Sequence, residues 1–283
     1  MSFVLPSVLS VIDGDPPRVP VVFDCPHSGR VYPADFRPAL PVAVLRPAED
    51  RDVDDLFSAA PDHGAALVVA HFPRVFVDAN RAADDIDPEL LSDPWPGPIA
   101  PSGKALAGMG VVWRLAAPGM EIHGRRLHPS EVAARIAAYH APYHAALARV
   151  LDARLAEFGR VFHFDCHSMP ARNPNDPAAD CLPPFADIVL GDRDGTTAGA
   201  DFVAAVEDCL TGQGFRVARN DPYKGVELVR AFGDPAHGRH SLQIEINRHL
   251  YMNETTQERS AGYAAIKAAM TRLIAATAAF AAA

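Results

Sequence analysis

Between residues 129 and 158 the side chains of Val132, Ile136, Tyr139, Tyr143, Leu147 and Leu151 recur at helical spacing, and the pattern stops at Gly159. Regularity of that length predicts a long helix with one buried face, ended by the residue type best able to turn left-handed. A strand-like run, 160–166, follows at once. Short apolar runs at 19–25, 66–71, 75–78, 187–190 and 242–246 read as further strands, and 200–210 reads as a helix. In the closing segment Tyr263, Ile266, Met270, Leu273 and Ile274 fall on one helical stripe. Strands alternating with helices imply an α/β fold, with a mostly parallel mixed sheet covered by helices on both faces. In such sheets chemistry collects at the carboxyl ends of the strands.

Composition sets the outer limits. With 49% apolar and 22% charged residues and no linker of Gly/Ser or charged type, residues 1–283 read as one α/β domain. Residues 1–11 lack the regions of a signal peptide, and the run 19–23 is far too short to span a bilayer. The expectation is a cytoplasmic protein with no membrane partner. A formal charge of −9 argues against nucleic acid as a partner but leaves room for a small anionic substrate, because one local arginine outweighs a diffuse background. The cysteines Cys25, Cys166, Cys181 and Cys209 form no CxxC pair, which argues against a zinc ribbon or a disulfide scaffold.

Polar clusters sit where predicted strands end. The first is Cys25-Pro26-His27-Ser28-Gly29. The second is Asp165-Cys166-His167-Ser168, where the strand pleat puts His163, Asp165 and His167 on one face and Cys166 on the other. That separation weakens a Cys/His nucleophile; Asp165 is placed to fix a ring tautomer, and His163, deeper in the strand, reads as structural. In the third, Gln243, Glu245 and Asn247 share a face opposite Leu242, Ile244 and Ile246. A carboxyl group inside a strand needs a compensating charge or hydrogen bond, and general-base work beside a metal would supply one, as would a salt bridge. The fourth runs from Arg74 to Arg81, where two guanidinium groups, with Asn80 beside one, are suited to gripping carboxylates. Last, residues 49–55 hold five acids ahead of a helix starting near Leu56, more than dipole capping needs. Two histidines and one carboxylate make an open catalytic zinc site, and one of these acids is the natural third ligand. The Gly/Pro-rich stretch 94–126 admits two readings, a lid or substrate loop, or a surface insertion without function.

Read together, PHSG at 26–29, the DxxVD-like run at 50–54, VDANR at 77–81, YHAPYHAAL from Tyr139, DCHS at 165–168, YKG at 223–225 and QIEIN at 243–247 resemble the N-formylglutamate amidohydrolase family, over most of the chain. The resemblance implies a phosphorylase/hydrolase-like three-layer sandwich, similar to the zinc carboxypeptidases. It also implies deformylation of N-formyl-L-glutamate to formate and L-glutamate. By that likeness His27 and His167 are zinc ligands, Glu245 is the base that activates a water, and Arg74 polarises the scissile carbonyl. Asn80 and Arg81 hold a substrate carboxylate, helped by Lys224 at the rim. Carboxypeptidases draw two ligands from a compact HxxE; here Ser28-Gly29-Arg30 follows His27, so the carboxylate ligand comes from elsewhere. Asp52 is the assigned position, with Asp50 and Glu49 as fallbacks. Iron or cobalt suits such a ligand set as well as zinc. Competing readings are a zinc carboxypeptidase, an N-acyl amino acid deacylase, a cell-wall amidase, or a binding module that keeps the cleft without catalysis.

Overall fold

The computed structural model describes residues 2–172 and 184–283. Its strands in chain order are β1 (Phe3–Leu5), β2 (Leu9–Ile12), β3 (Val21–Cys25), β4 (Ala66–Ala70), β5 (Leu115–Ala117), β6 (Met120–Glu121), β7 (Val161–Met169), β8 (Ile188–Gly191), β9 (Val217–Arg219), β10 (Arg239–Asn247), β11 (Met252–Asn253) and β12 (Glu258–Arg259). Eight of them form one sheet in the order β1-β2-β4-β3-β7-β10-β8-β9, while β5-β6 and β11-β12 are small hairpins. The centre, β4-β3-β7-β10, is parallel throughout; antiparallel pairing enters at β2-β4, β1-β2 and β10-β8. This is the mixed, mostly parallel sheet that the alternating pattern predicts.

The helices are α1 (Val42–Leu45), α2 (Val53–Leu56), α3 (Gly103–Leu106), α4 (Pro129–Arg135), α5 (Ala141–Phe158), α6 (Ala200–Thr211), α7 (Glu227–Phe232) and α8 (Tyr263–Ala282). They cover both faces, and the strand pleat decides which residues meet which layer. In β4, Leu67 and Val69 pack with α2, α6 and α8 on one side, whereas Ala66, Val68 and Ala70 pack with α4 and α5 on the other. By length and composition α8 is apolar enough to cross a membrane, yet its stripe of Ile266, Met270, Leu273 and Ile274 is buried against the sheet. Each large aliphatic residue so buried contributes roughly 1.5–3 kcal/mol.

The long helical pattern at 129–158 is real but not uniform: one turn of π-helix, Ile136–His140, joins α4 to α5. Gly159 ends it in the left-handed conformation at φ 74°, as expected of a C-terminal glycine. The strand expected at 75–78 does not form. Pro73 removes a backbone donor and starts a turn closed by Phe76 N–H and Val77 N–H on the Pro73 carbonyl, so the segment that delivers Asp78 and Arg81 is a loop held locally. The helix expected near Leu56 begins earlier, at Val53, and lasts one turn. Cys181 lies outside the described residues; Cys25, Cys166 and Cys209 are free thiols.

Candidate active site

His27 follows the carboxyl end of β3, and His167 and Glu245 lie near the carboxyl ends of β7 and β10. Because β3, β7 and β10 are adjacent, the sheet brings these three segments to one rim. Glu245 is directly in register with His167, so the two side chains stand side by side on one face. The two imidazoles meet Nδ1 to Nδ1 at 3.1 Å. Asp50 Oδ2 lies 2.8 Å from His167 Nδ1 and 3.5 Å from His27 Nδ1. The ligand atoms of His27, Asp50 and His167 all fall within 4.8 Å of one another, and all three residues are buried.

The far ring nitrogens explain why the near ones face inward. His27 Nε2 donates to Asp78 Oδ1 at 2.6 Å, and His167 Nε2 lies 2.7 Å from Asp165 Oδ1. A His27 ring that keeps its proton on Nε2 presents the Nδ1 lone pair to the opposite side, where His167 Nδ1 and the Asp50 carboxyl converge on the same point. Electron pairs gathered this closely repel unless a proton or a cation lies between them, and the set of two imidazole nitrogens and one carboxylate oxygen fits a divalent ion.

Surrounding charge holds this arrangement. Burial works against an ionised Asp50, yet His167, His27 and Arg248 outweigh it and keep the carboxyl well below the usual range. Burial likewise opposes Asp78, which Arg74, His27 and Arg81 hold well below that range. Burial would depress His167, but Asp165, Asp50 and Glu245 raise it well above an ordinary imidazole. Glu245 is pushed by burial up to about 7, with Asp50 and Asp165 adding to the rise and His167 and Arg74 opposing it. Its Oε1 accepts from Gln243 Nε2 at 2.9 Å, which orients the carboxyl group across the shared strand face.

The carboxylate in the centre is Asp50, the fallback, and not Asp52. Asp52 opens α2 from a left-handed backbone at φ 65°. Its carboxyl turns outward to Arg30 at 3.3 Å and Arg259 at 3.0 Å. Glu49 is turned away too, accepting from the Tyr32 hydroxyl at 2.8 Å. Asp50 is held in place by Arg248, whose Nη2 donates to Asp50 Oδ1 at 2.8 Å and whose other donors reach Ser168 and the backbone of Pro47 and Glu49. Arg248 follows the QIEIN run and has no role assigned from sequence, because Pro47, Glu49 and Asp50 lie about two hundred residues away in the chain and Ser168 lies 80 away.

Lys224 is the second departure. Its amine bonds Asp194 at 2.9 Å on the surface, outside the residues that line the cleft. Asn80 does reach the site, but both ends of its amide are committed internally: Nδ2 donates to Asp165 Oδ2 at 2.8 Å and lies 2.8 Å from His167 Nε2, and Oδ1 accepts from Leu228 N–H at 2.8 Å. Arg74 grips Asp78 through Nε and Nη2 and lies 5.0 Å from the Trp113 ring centre. Arg81 donates to the carbonyls of Met109 and Asn80. Sequence reasoning gave no role to Asp78 itself, which bonds His27, Arg74 and the Trp113 indole at once; its place between two arginines in RVFVDANR was the available signal.

Further inward, His163 is structural as expected, bonded to Asp24 at 2.7 Å and Ser241 at 2.7 Å. Cys166 points into the opposite, apolar layer. His140 and His144 stack with ring centres 4.0 Å apart, and their Nε2 atoms bond the carbonyls of Arg81 and Ala79. They tie the Asn80 loop to the π-helical turn.

The cleft over these residues has a volume of about 410 Å³ and is walled by His27, Asp50, Arg74, Arg81, Lys104, Trp113, His167 and Glu245. A larger and mainly apolar cavity of about 1270 Å³ adjoins it across Arg81, Lys104, Met109 and Trp113. The stretch 94–126 therefore forms a wall of the cleft rather than a remote insertion.

Comparison with known proteins identifies the family. The family model for N-formylglutamate amidohydrolase matches residues 19–252. N-formylglutamate deformylase of Pseudomonas aeruginosa is 28% identical over 249 residues, covering 84% of each chain. That of Pseudomonas putida is 28% identical over 243 residues, also with 84% of each covered. The crystal structure of N-formylglutamate amidohydrolase from Ralstonia eutropha JMP134 is similar with a TM-score of 0.92 at 43% identity, covering 98% of this chain and 99% of that one. The matched span contains every residue placed at the centre of the cleft, and on these grounds the chain belongs to the N-formylglutamate amidohydrolase family.

Proposed function

We propose that this chain, acting as one catalytic unit in the cytoplasm, hydrolyses the amide of N-formyl-L-glutamate to formate and L-glutamate with a single divalent ion, zinc first among the candidates. The observation that carries the reading is the convergence of His27, Asp50 and His167 beside an unliganded Glu245. The family membership and the names of the relatives support the substrate.

His27, Asp50 and His167 would hold the ion, which supplies Lewis acidity towards a water and a carbonyl oxygen. Glu245 takes a proton from the attacking water and returns it to the departing amine nitrogen, a role suited to a group that titrates near neutrality. Gln243 keeps that carboxyl aimed into the cleft. Arg74 offers its Nη1, which Asp78 leaves free, to the carbonyl oxygen as charge builds there, an interaction typically worth a few kcal/mol. Arg81 receives a substrate carboxylate in its planar fork. Asn80 acts by bracing Asp165 and the α7 backbone rather than by touching substrate.

The test is turnover of N-formyl-L-glutamate by protein of measured metal content, before and after chelation. Formate release that falls with metal removal and returns with zinc is the expected result; release that ignores the metal, or no release at all, would refute the reading. The adjoining apolar cavity favours one alternative, an N-acyl amino acid deacylase with a bulkier acyl group. A panel of formyl, acetyl and longer acyl glutamates, with dipeptides, separates the two.

A further inference from the structure

The chain contains three lysines, Lys104, Lys224 and Lys267, and the fold treats them differently. Lys224 is neutralised by Asp194 at 2.9 Å and Lys267 by Asp55 at 2.7 Å. Lys104 makes no ion pair with a carboxyl group among the described residues. Lys104 is exposed at the rim of the cleft, and partial burial of its amine, Arg81 and Arg74 all disfavour its charge. A cation brought up to other cations at the mouth of a cleft invites an anionic ligand to complete the balance.

Its backbone is firmly placed. Ser102 caps α3, and Asp85 fixes Ser102 through the backbone N–H at 2.6 Å and the hydroxyl at 3.0 Å. The Lys104 carbonyl accepts from Met109 N–H at 2.8 Å, and the Met109 carbonyl accepts from Arg81 Nε at 3.2 Å. Gly110 lets this loop close on Asp85, since a Cβ there would meet the Asp85 carbonyl at 2.5 Å. Lys104 and Arg81 are thus joined through one residue while both line the cleft that holds His27, His167 and Glu245.

N-formyl-L-glutamate carries two carboxylates and no ammonium group. Arg81 accounts for one. Arg74 is engaged with Asp78, and Arg248 is buried against Asp50 and Ser168. We propose that Lys104 binds the side-chain carboxylate of the substrate and so sets the preference for an acidic over an amide side chain. This rests on the deformylase reading above. A compact ammonium on a flexible stem suits a carboxylate at the end of a mobile side chain, while the guanidinium fork of Arg81 suits the α-carboxylate.

The test pairs binding with turnover. Binding of L-glutamate is measured by calorimetry on the wild-type protein, Lys104→Gln, Lys104→Arg and Lys224→Ala; kcat and KM are measured with N-formyl-L-glutamate and N-formyl-L-glutamine. Lys104→Gln is expected to weaken L-glutamate binding and raise KM for N-formyl-L-glutamate roughly 10- to 100-fold, the range of one charge-assisted hydrogen bond, with kcat held within about threefold. Its preference for the acidic over the amide substrate should fall by the same factor. Lys104→Arg should recover most of the loss, and Lys224→Ala should match the wild type. Equal losses on both substrates, or no loss on either, would overturn the assignment, as would a wild-type protein that fails to bind L-glutamate. Binding of L-glutamate that depends on Lys104 without turnover of either formyl substrate would instead uphold Lys104 and remove the deformylase reading.

Discussion

The central strands β3, β7 and β10 have one face towards α6 and α8 and the other towards α5 and, at its carboxyl end, the cleft, and the two faces are built from different chemistry. On the first, Phe23, Phe164, Cys166, Leu242, Ile244 and Ile246 form an apolar layer with α6 and α8. On the second, the same strands carry Asp24, His163, Asp165, His167, Gln243 and Glu245, all buried. Apolar burial stabilises without directional demands, whereas every polar group taken from water needs a partner. The polar face meets most of that demand by pairing, Tyr143 with Asp24, His163 with Asp24 and Ser241, and Gln243 with Glu245, and leaves Asp165 Oδ1 beside His167 without a hydrogen bond. The first face thus carries packing alone, while the second joins packing of Val22 and Val161 against α5 to the chemistry of the cleft, within the thickness of a single sheet.

The contrast can be broken most directly at Glu245. Glu245→Gln keeps the shape and the bond to Gln243 while removing the base, so kcat should fall about 10²- to 10⁴-fold with the unfolding midpoint little changed; a variant of near wild-type rate would show that the polar face does not supply the base. On the other face, Phe164→Ala should cost about 3–5 kcal/mol of stability in denaturant titration while KM of the surviving folded fraction stays the same. A large KM change there would mean that the two faces are not separable.

The third test is pH. Burial and the neighbouring His140 press His144 down to about 4. An unfolded histidine takes up its proton near 6.5, so between those values the unfolded chain binds more protons than the folded one. The contribution of neutral His144 is complete above about pH 6.5 and is lost as pH falls towards 4, on the order of 3 kcal/mol in all. His144→Gln should flatten the acid limb of the stability curve measured by thermal unfolding; an unchanged slope would exclude the stacked pair as its source. The smallest effect is expected at Asp78→Asn, which leaves the bond geometry but weakens the hold on His27, lowering metal affinity about 10- to 100-fold in a competition titration with a chelator.

Much of the centre was legible in the residues. A period of two in 160–166 and 242–246 separates Cys166 from His167 and places Glu245 opposite Ile244 and Ile246, and the pairing of β7 with β10 bears this out. The stop at Gly159 and the ends of most strands followed from local rules. The illegible parts were those where neighbouring acids offer equal chemistry. Asp50 and Asp52 stand two residues apart with the same side chain, and periodicity cannot rank them. Arg248 draws Asp50 inward, while Arg30 and Arg259 draw Asp52 outward. The strand expected at 75–78 failed for a related reason, since its apolar pattern was met by packing a turn against the core rather than by pairing in a sheet.

Local order along the chain, then, specified the alternating α/β architecture and the face on which each strand residue stands, because steric preference and hydrophobic period act over a few neighbours. Tertiary contact alone chose Asp50 over Asp52, brought Lys104 rather than Lys224 to the cleft, and set two imidazoles nitrogen to nitrogen. Those outcomes depend on charges and hydrogen bonds between segments distant in sequence, whose strength is decided by distance and burial, neither of which exists until the sheet has closed.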